Sequence, residues 1–223
     1  MGFFFIPLLI CVLLFNYFSP PIQKIPSPYS SSIVAFEFVQ SEEDVHEVLD
    51  PLTTDEIRAL EWLNKTDFAF MIFYCLFLLG VWKILARLKQ ISLWPGFVLI
   101  AIIYISDVIE TTQLLDISQA YLHNIEFSSG LQVLSMSTWS KWIGLAVLLA
   151  LMAYHLWSPK LTNKLTSILI LAPGLLSLPA LFGSDKLRDI FANSIFLAFL
   201  VLIIFCFTFK TVNESKSHSD RTT

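Results

Sequence analysis

Between positions 67 and 209 the chain is a succession of apolar stretches, each near the roughly 20 residues that carry a helix across about 30 Å of hydrocarbon. No other feature restricts the fold so strongly. Lipid offers no partner for backbone N–H and C=O groups, so separate runs of this length satisfy them as helices. The runs fall at 67–85, 91–115, 138–157, 165–182 and 190–209. An earlier run, 2–18, reads as a cleaved signal peptide or a retained helix. No Lys or Arg precedes Lys24, and Phe18-Ser19-Pro20-Pro21 is a poor cleavage site, which favours retention and six spans over five. The expected architecture is an all-α, multi-pass transmembrane helical bundle. Residues 1–18 form its first membrane helix, 19–66 an acidic extracytoplasmic segment, 67–209 a five-helix membrane bundle and 210–223 a cytoplasmic tail.

Composition agrees with a membrane chain. Hydrophobic residues make up 56% and charged residues 14%, against about 25% charged in soluble domains. The net charge of −4 arises mostly from acids at positions 37–61, and no basic patch marks a nucleic-acid partner. Cys11, Cys75 and Cys206 lie singly in apolar runs, and the four histidines form no HExxH pair, so neither a metal nor a cofactor is expected. P-loop, GxGxxG and GxSxG patterns are absent from the sequence.

The 19–66 segment opens with Pro20, Pro21, Pro26 and Pro28, which favour extended chain. IVAFEFV at 33–39 alternates weakly and predicts a short strand. Positions 41–49 and 53–63 predict helices. Thr53 and Glu56 have capping-box spacing, and Ile57, Leu60 and Leu63 suit a helix lying on the membrane surface or on the bundle. The nine acids of this segment, Glu37 among them, read as a solvated face. Pro173-Gly174 and Pro179 predict a kink or local break in the fifth span.

Basic residues set the orientation. Lys83, Arg87, Lys89, Lys160, Lys164, Lys210, Lys216 and Arg221 share one side of a six-span topology, which places both termini in the cytoplasm. The 19–66 segment and the 116–137 loop then face outward. All six tryptophans fall within about a turn of an expected helix end, as interfacial belts would.

Against this background the third span stands out, because WPGFVLIAIIYISDVIETTQLL carries Asp107 and Glu110 on one helical face. Topology and helical rise bring Asp67 and Lys141 to the same outer level. Three readings fit: acids that mark a helix end, a structural lock between helices, or a working polar site with Tyr74, Tyr104, Ser106, Thr111 and Gln113 as neighbours. Carboxylates at membrane depth need a partner, a watery cavity or a proton. His155 reads as interfacial, and Asn193 and Ser194 as donors between helices.

The strings SIVAFEF at 32–38, DFAFMIFY at 67–74 and SDVIETTQL at 106–114, followed by the lysine of STWSK at 137–141, are similar to a group of bacterial multi-pass membrane proteins of unknown function. In that group the third-helix motif resembles D-x-x-E-N, and Thr111 stands here where Asn is expected. The resemblance covers roughly positions 30–145. It implies a bacterial inner-membrane location and outer-side candidate positions at Asp67, Asp107, Glu110 and Lys141. It implies no reaction.

The expected function is a structural, assembly or interaction role in the cell envelope, with the lipid bilayer and an envelope protein as partners. One alternative is a small ion- or proton-coupled transporter using Asp107 and Glu110. Another is a membrane-embedded enzyme acting on a lipid-like substrate.

Overall fold

A computed structural model describes residues 24–208 together with Leu13 and Tyr17. The expected first span, apart from those two residues, and the tail beyond 208 lie outside the described residues. Among residues 24–208 seven helices follow in order. Two are short, α1 (Ser32–Glu37) and α2 (Glu42–Leu49). Five are long: α3 (Thr54–Lys89), α4 (Trp94–Leu122), α5 (Ser128–Leu156), α6 (Leu161–Phe182) and α7 (Asp185–Thr208). The long helices are each apolar and long enough to cross a membrane. Among the described residues there is no strand.

The capping boxes form as the sequence spells them. Thr53 Oγ1 accepts from the Glu56 N–H while the Glu56 side chain accepts from the Thr53 N–H, and Ser41 with Asp44 repeats the arrangement at the start of α2. Several boundaries differ from expectation for a common reason. The 53–63 helix packs on the bundle, with Ile57, Leu60 and Leu63 buried against Leu114, Ile117 and Leu134, but it is not a separate helix. It continues through Asn64-Lys65-Thr66, polar residues that include neither Gly nor Pro, into one helix of 36 residues. At 1.5 Å per residue that is about 54 Å, so its first turns stand clear of about 30 Å of hydrocarbon. α4 and α5 are likewise 29 residues each, and the expected 116–137 loop shrinks to positions 123–127. α6 runs without interruption through Pro173 and Pro179, so no local break occurs.

The expected strand at 33–39 is a helix instead. Val34, Ala35, Phe36, Phe38 and Val39 are all buried, so this stretch has no polar face to impose a period of two. A short, uniformly apolar run is ambiguous by periodicity, and here packing on every side decides it. Glu37 is buried with them and is not part of a solvated face.

Consecutive long helices pack as antiparallel neighbours, and α7 closes the bundle back onto α3 where Phe199 meets the rings of Tyr74 and Phe77. The 24–52 segment sits on one end of this bundle as a cap. There Ala35, Phe36, Val45, Leu49, Leu60, Leu63, Leu114, Ile117 and Leu134 form one apolar core. A second, larger core fills the bundle beyond it, with Met71, Leu78, Ile103, Leu148, Leu149 and Leu202 fully buried. The cap is also tied at its edges. Lys24 pairs with Glu56 at 2.5 Å, and Asp189 accepts from both the N–H and the hydroxyl of Ser30. Asn193 donates to Ser30 Oγ, as a helix-to-neighbour donor should, whereas Ser194 donates only to Phe191 O on its own helix.

Two tryptophans depart from the interfacial pattern. Trp142 is buried within α5, and Trp82 is buried against α4 with its Nε1 donating to Leu93 O at 3.1 Å. The Trp82 indole lies so close over Gly96 that a Cβ there would come within 2.4 Å of three ring atoms. Gly96→Ala is therefore expected to force the indole aside and lower stability by about 1–3 kcal/mol, the usual range for overpacking. Thermal unfolding in detergent, with tryptophan fluorescence as the signal, measures it.

Candidate functional site

Between the two apolar cores lies a layer of ionisable side chains. Lys141 is at its centre, thirteen residues into α5 rather than at the start of a span, and it is only 6% exposed. Its Nζ donates to Glu110 Oε1 and lies 3.2 Å from Glu37 Oε2 and 3.3 Å from Asp107 Oδ1. Asp107 and Glu110 come from the middle of α4, where they occupy one face and are 2% and 0% exposed. The reading that they mark a helix end is thereby overturned, since α4 continues to Leu122. Glu37 reaches the layer from the last position of α1 and also accepts from Trp142 Nε1 at 3.0 Å. Thr138, one turn before Trp142, donates to Glu37 O at 3.0 Å, so both side chain and backbone of Glu37 are held by α5.

α3 contributes the remaining members. Tyr74 OH donates to Asp107 Oδ2, and Thr111 donates to the half-buried Asp67 at 3.0 Å. Thus Asp107, Glu110 and Lys141 meet directly, while Asp67 is tied in through Thr111. Tyr74 and Thr111 are true neighbours of the group. Tyr104 is 37% exposed and faces away from the core, and Gln113 lies instead beside Gly130. His155 stacks edge-to-face on Trp82 and Tyr154, well away from the acids.

The member that sequence reasoning missed is Glu37. Its signal was available: a single acid flanked on each side by phenylalanine in an otherwise apolar stretch. An acid in such a place is either exposed by an amphipathic period or buried with a partner. The partner, Lys141, is 104 positions away, beyond the reach of local pattern.

The charge balance is uneven. Four carboxylates, Glu37, Asp67, Asp107 and Glu110, face one ammonium. Like charges 4 Å apart repel by about 4 kcal/mol even at an effective dielectric constant near 20. Burial pushes the carboxyl of Glu37, which lies outside the spanning helices, above the ordinary carboxylate range; Lys141 opposes that and Asp107 adds to it. Two buried oxygens, Asp107 Oδ1 and Glu110 Oε2, accept no hydrogen bond. No group of three or more His, Cys, Asp or Glu among the described residues is arranged to hold a metal ion.

Together the fold and the site define a class, a helical membrane protein with an ionic layer beneath a folded cap. Comparison with protein families, with curated proteins and with solved structures found no match.

Proposed function

We propose that this is a multi-pass protein of the bacterial inner membrane whose role in the envelope is structural or interactive, and which presents its cap to an envelope partner. In this reading the chain has six spans, both termini are cytoplasmic, and the cap faces outward. The observation that carries it is the convergence of α1, α4 and α5 on Lys141. The buried ion pairs of Lys141, with the Trp142–Glu37 hydrogen bond, tie the cap to α4 and α5. Lys83, Arg87, Lys89, Lys160 and Lys164 lie towards the opposite end of the long helices from the cap, which supports the orientation. Beside α2 the cap offers a groove of about 600 Å³ lined by residues that include Glu42, His46, Tyr121, Glu126 and Phe127.

A second reading, proton-coupled transport, is favoured by one observation, the four carboxylates set against one lysine. The two readings are separated by site-specific photo-crosslinking in cells. A photoreactive residue at Glu126 is expected to capture a defined envelope protein, while one at lipid-facing Ile105, 57% exposed, is not. Equal labelling at both positions, together with proton uptake by proteoliposomes that Asp107→Asn abolishes, overturns the structural reading in favour of transport.

A further inference from the structure

We propose that Glu37, Asp67 and Glu110, gathered with Asp107 around Lys141, form a proton-binding site that exchanges with water at the cap end and whose occupancy holds α1 in place. The site is built, not merely acidic. Glu110 is fully buried, and its Oε2 has no hydrogen-bond donor, while the nearest charged group to Asp107 Oδ1 is the Lys141 ammonium at 3.3 Å. A carboxylic acid proton supplies a donor in such a place, and a carboxylate does not. With every acid ionised the layer would carry four negative charges against one positive, in a space sealed by apolar cores on both sides. Protons are the economical way to balance it, because each converts one carboxylate to a neutral acid and adds an O–H.

Every element packed against the layer agrees. α1 brings Glu37; α3 brings Asp67, Tyr74 and Cys75; α4 brings Asp107 and Glu110; α5 brings Lys141. α7 meets it with the rings of Phe191, Phe196 and Phe199. α7 also carries Arg188, which lies over the Trp139 ring at 6.0 Å and pairs with Asp185. Among the described residues, Lys141 is the cation within ion-pair distance of Glu37, Asp107 and Glu110.

A route to the cap end follows α3. Asp67 is half-buried, and Asn64 and Glu61 precede it by three and six residues, each step about 4.5 Å along the axis. Both are buried, and Asn64 Nδ2 and Glu61 Oε1 have no hydrogen-bond partner. In the other direction the layer meets Met71, Leu78, Ile103 and Leu149, all fully buried and apolar. Protons therefore enter and leave on one side.

Glu37 is the member free to respond. The other acids sit within helices of 29 and 36 residues, whereas Glu37 ends a helix of six. Loss of protons leaves surplus negative charge, and α1 is the element that repulsion can displace.

The test uses the full chain in lipid nanodiscs. Infrared difference spectra in water and in D2O are expected to show protonated carboxylic acids at neutral pH, fewer in Asp67→Asn and more in Lys141→Met. Hydrogen-exchange protection factors at 33–39, which divide out intrinsic pH dependence, are expected to fall about tenfold per pH unit for each proton released on opening. In Asp67→Asn, with one acid fewer to release a proton, that fall is shallower. Asp67 is the outermost acid, so this variant keeps the central ion pairs should Lys141→Met fail to fold. Absence of protonated-acid absorption in the folded wild type overturns the proposal, and so do protection factors at 33–39 that stay flat between about pH 5 and about pH 9. Neither readout depends on which partner the cap meets, so failure of the crosslinking experiment leaves this inference standing.

Discussion

Lys141→Met is expected to destabilise the folded protein by about 3–5 kcal/mol, the usual consequence of removing one partner from a buried ion pair. The loss leaves Glu37, Asp107 and Glu110 facing each other with no cation among them. Adding Glu110→Gln to Lys141→Met removes a charge along with its counter-charge, so the double variant is expected to recover part of the loss. Denaturant titrations in detergent on the two single variants and the double variant give the coupling directly. Additive losses would mean that Lys141 and Glu110 are independent, and the layer would then hold nothing together.

Phe36→Ala is expected to cost a similar amount, about 3–5 kcal/mol, through loss of transfer energy and the cavity left behind. Phe36 is 0% exposed in the cap core beside Leu49, Leu60 and Leu114. Its neighbour in sequence is Glu37, so loosening the ring also loosens the acid. The two changes nevertheless differ in what they disturb. Phe36→Ala is expected to expose 32–52 to protease while the long helices stay folded, whereas Lys141→Met disturbs α4 and α5 as well. Limited proteolysis followed by mass spectrometry distinguishes them. Equal protease resistance of the cap in Phe36→Ala and wild type would show that the apolar core does not anchor it.

The parts of this fold visible in the sequence are those governed by short-range physics. Apolar runs mark the spans because hydrocarbon thickness sets their length, and Thr53 with Glu56 marks a helix start because three residues close a capping box. The far end of α4 and the start of α5 are not legible in this way, since Asp116, Gln119, Ser128 and Gln132 interrupt an apolar run without ending a helix. The meeting of Asp107, Glu110 and Lys141 was accessible by counting turns along neighbouring antiparallel helices. The burial of Glu37 was not, because it depends on a cap folding over a bundle whose helices come later in the chain. The same holds for α1, whose helical form is fixed by its surroundings and not by any period of its own.

The separation between Glu37 and the helix that receives it spans 105 positions to Trp142. During synthesis the acid arm emerges first and its lysine long afterwards. Until α5 arrives, the carboxylates of α4 have no cation, and α5 in turn must carry an ammonium into lipid, where a lysine at mid-helix costs about 2.5–3.5 kcal/mol. The fourth and fifth helices thus gain by entering the bilayer as a pair, and Glu37 finds its partners only once α5 is in place.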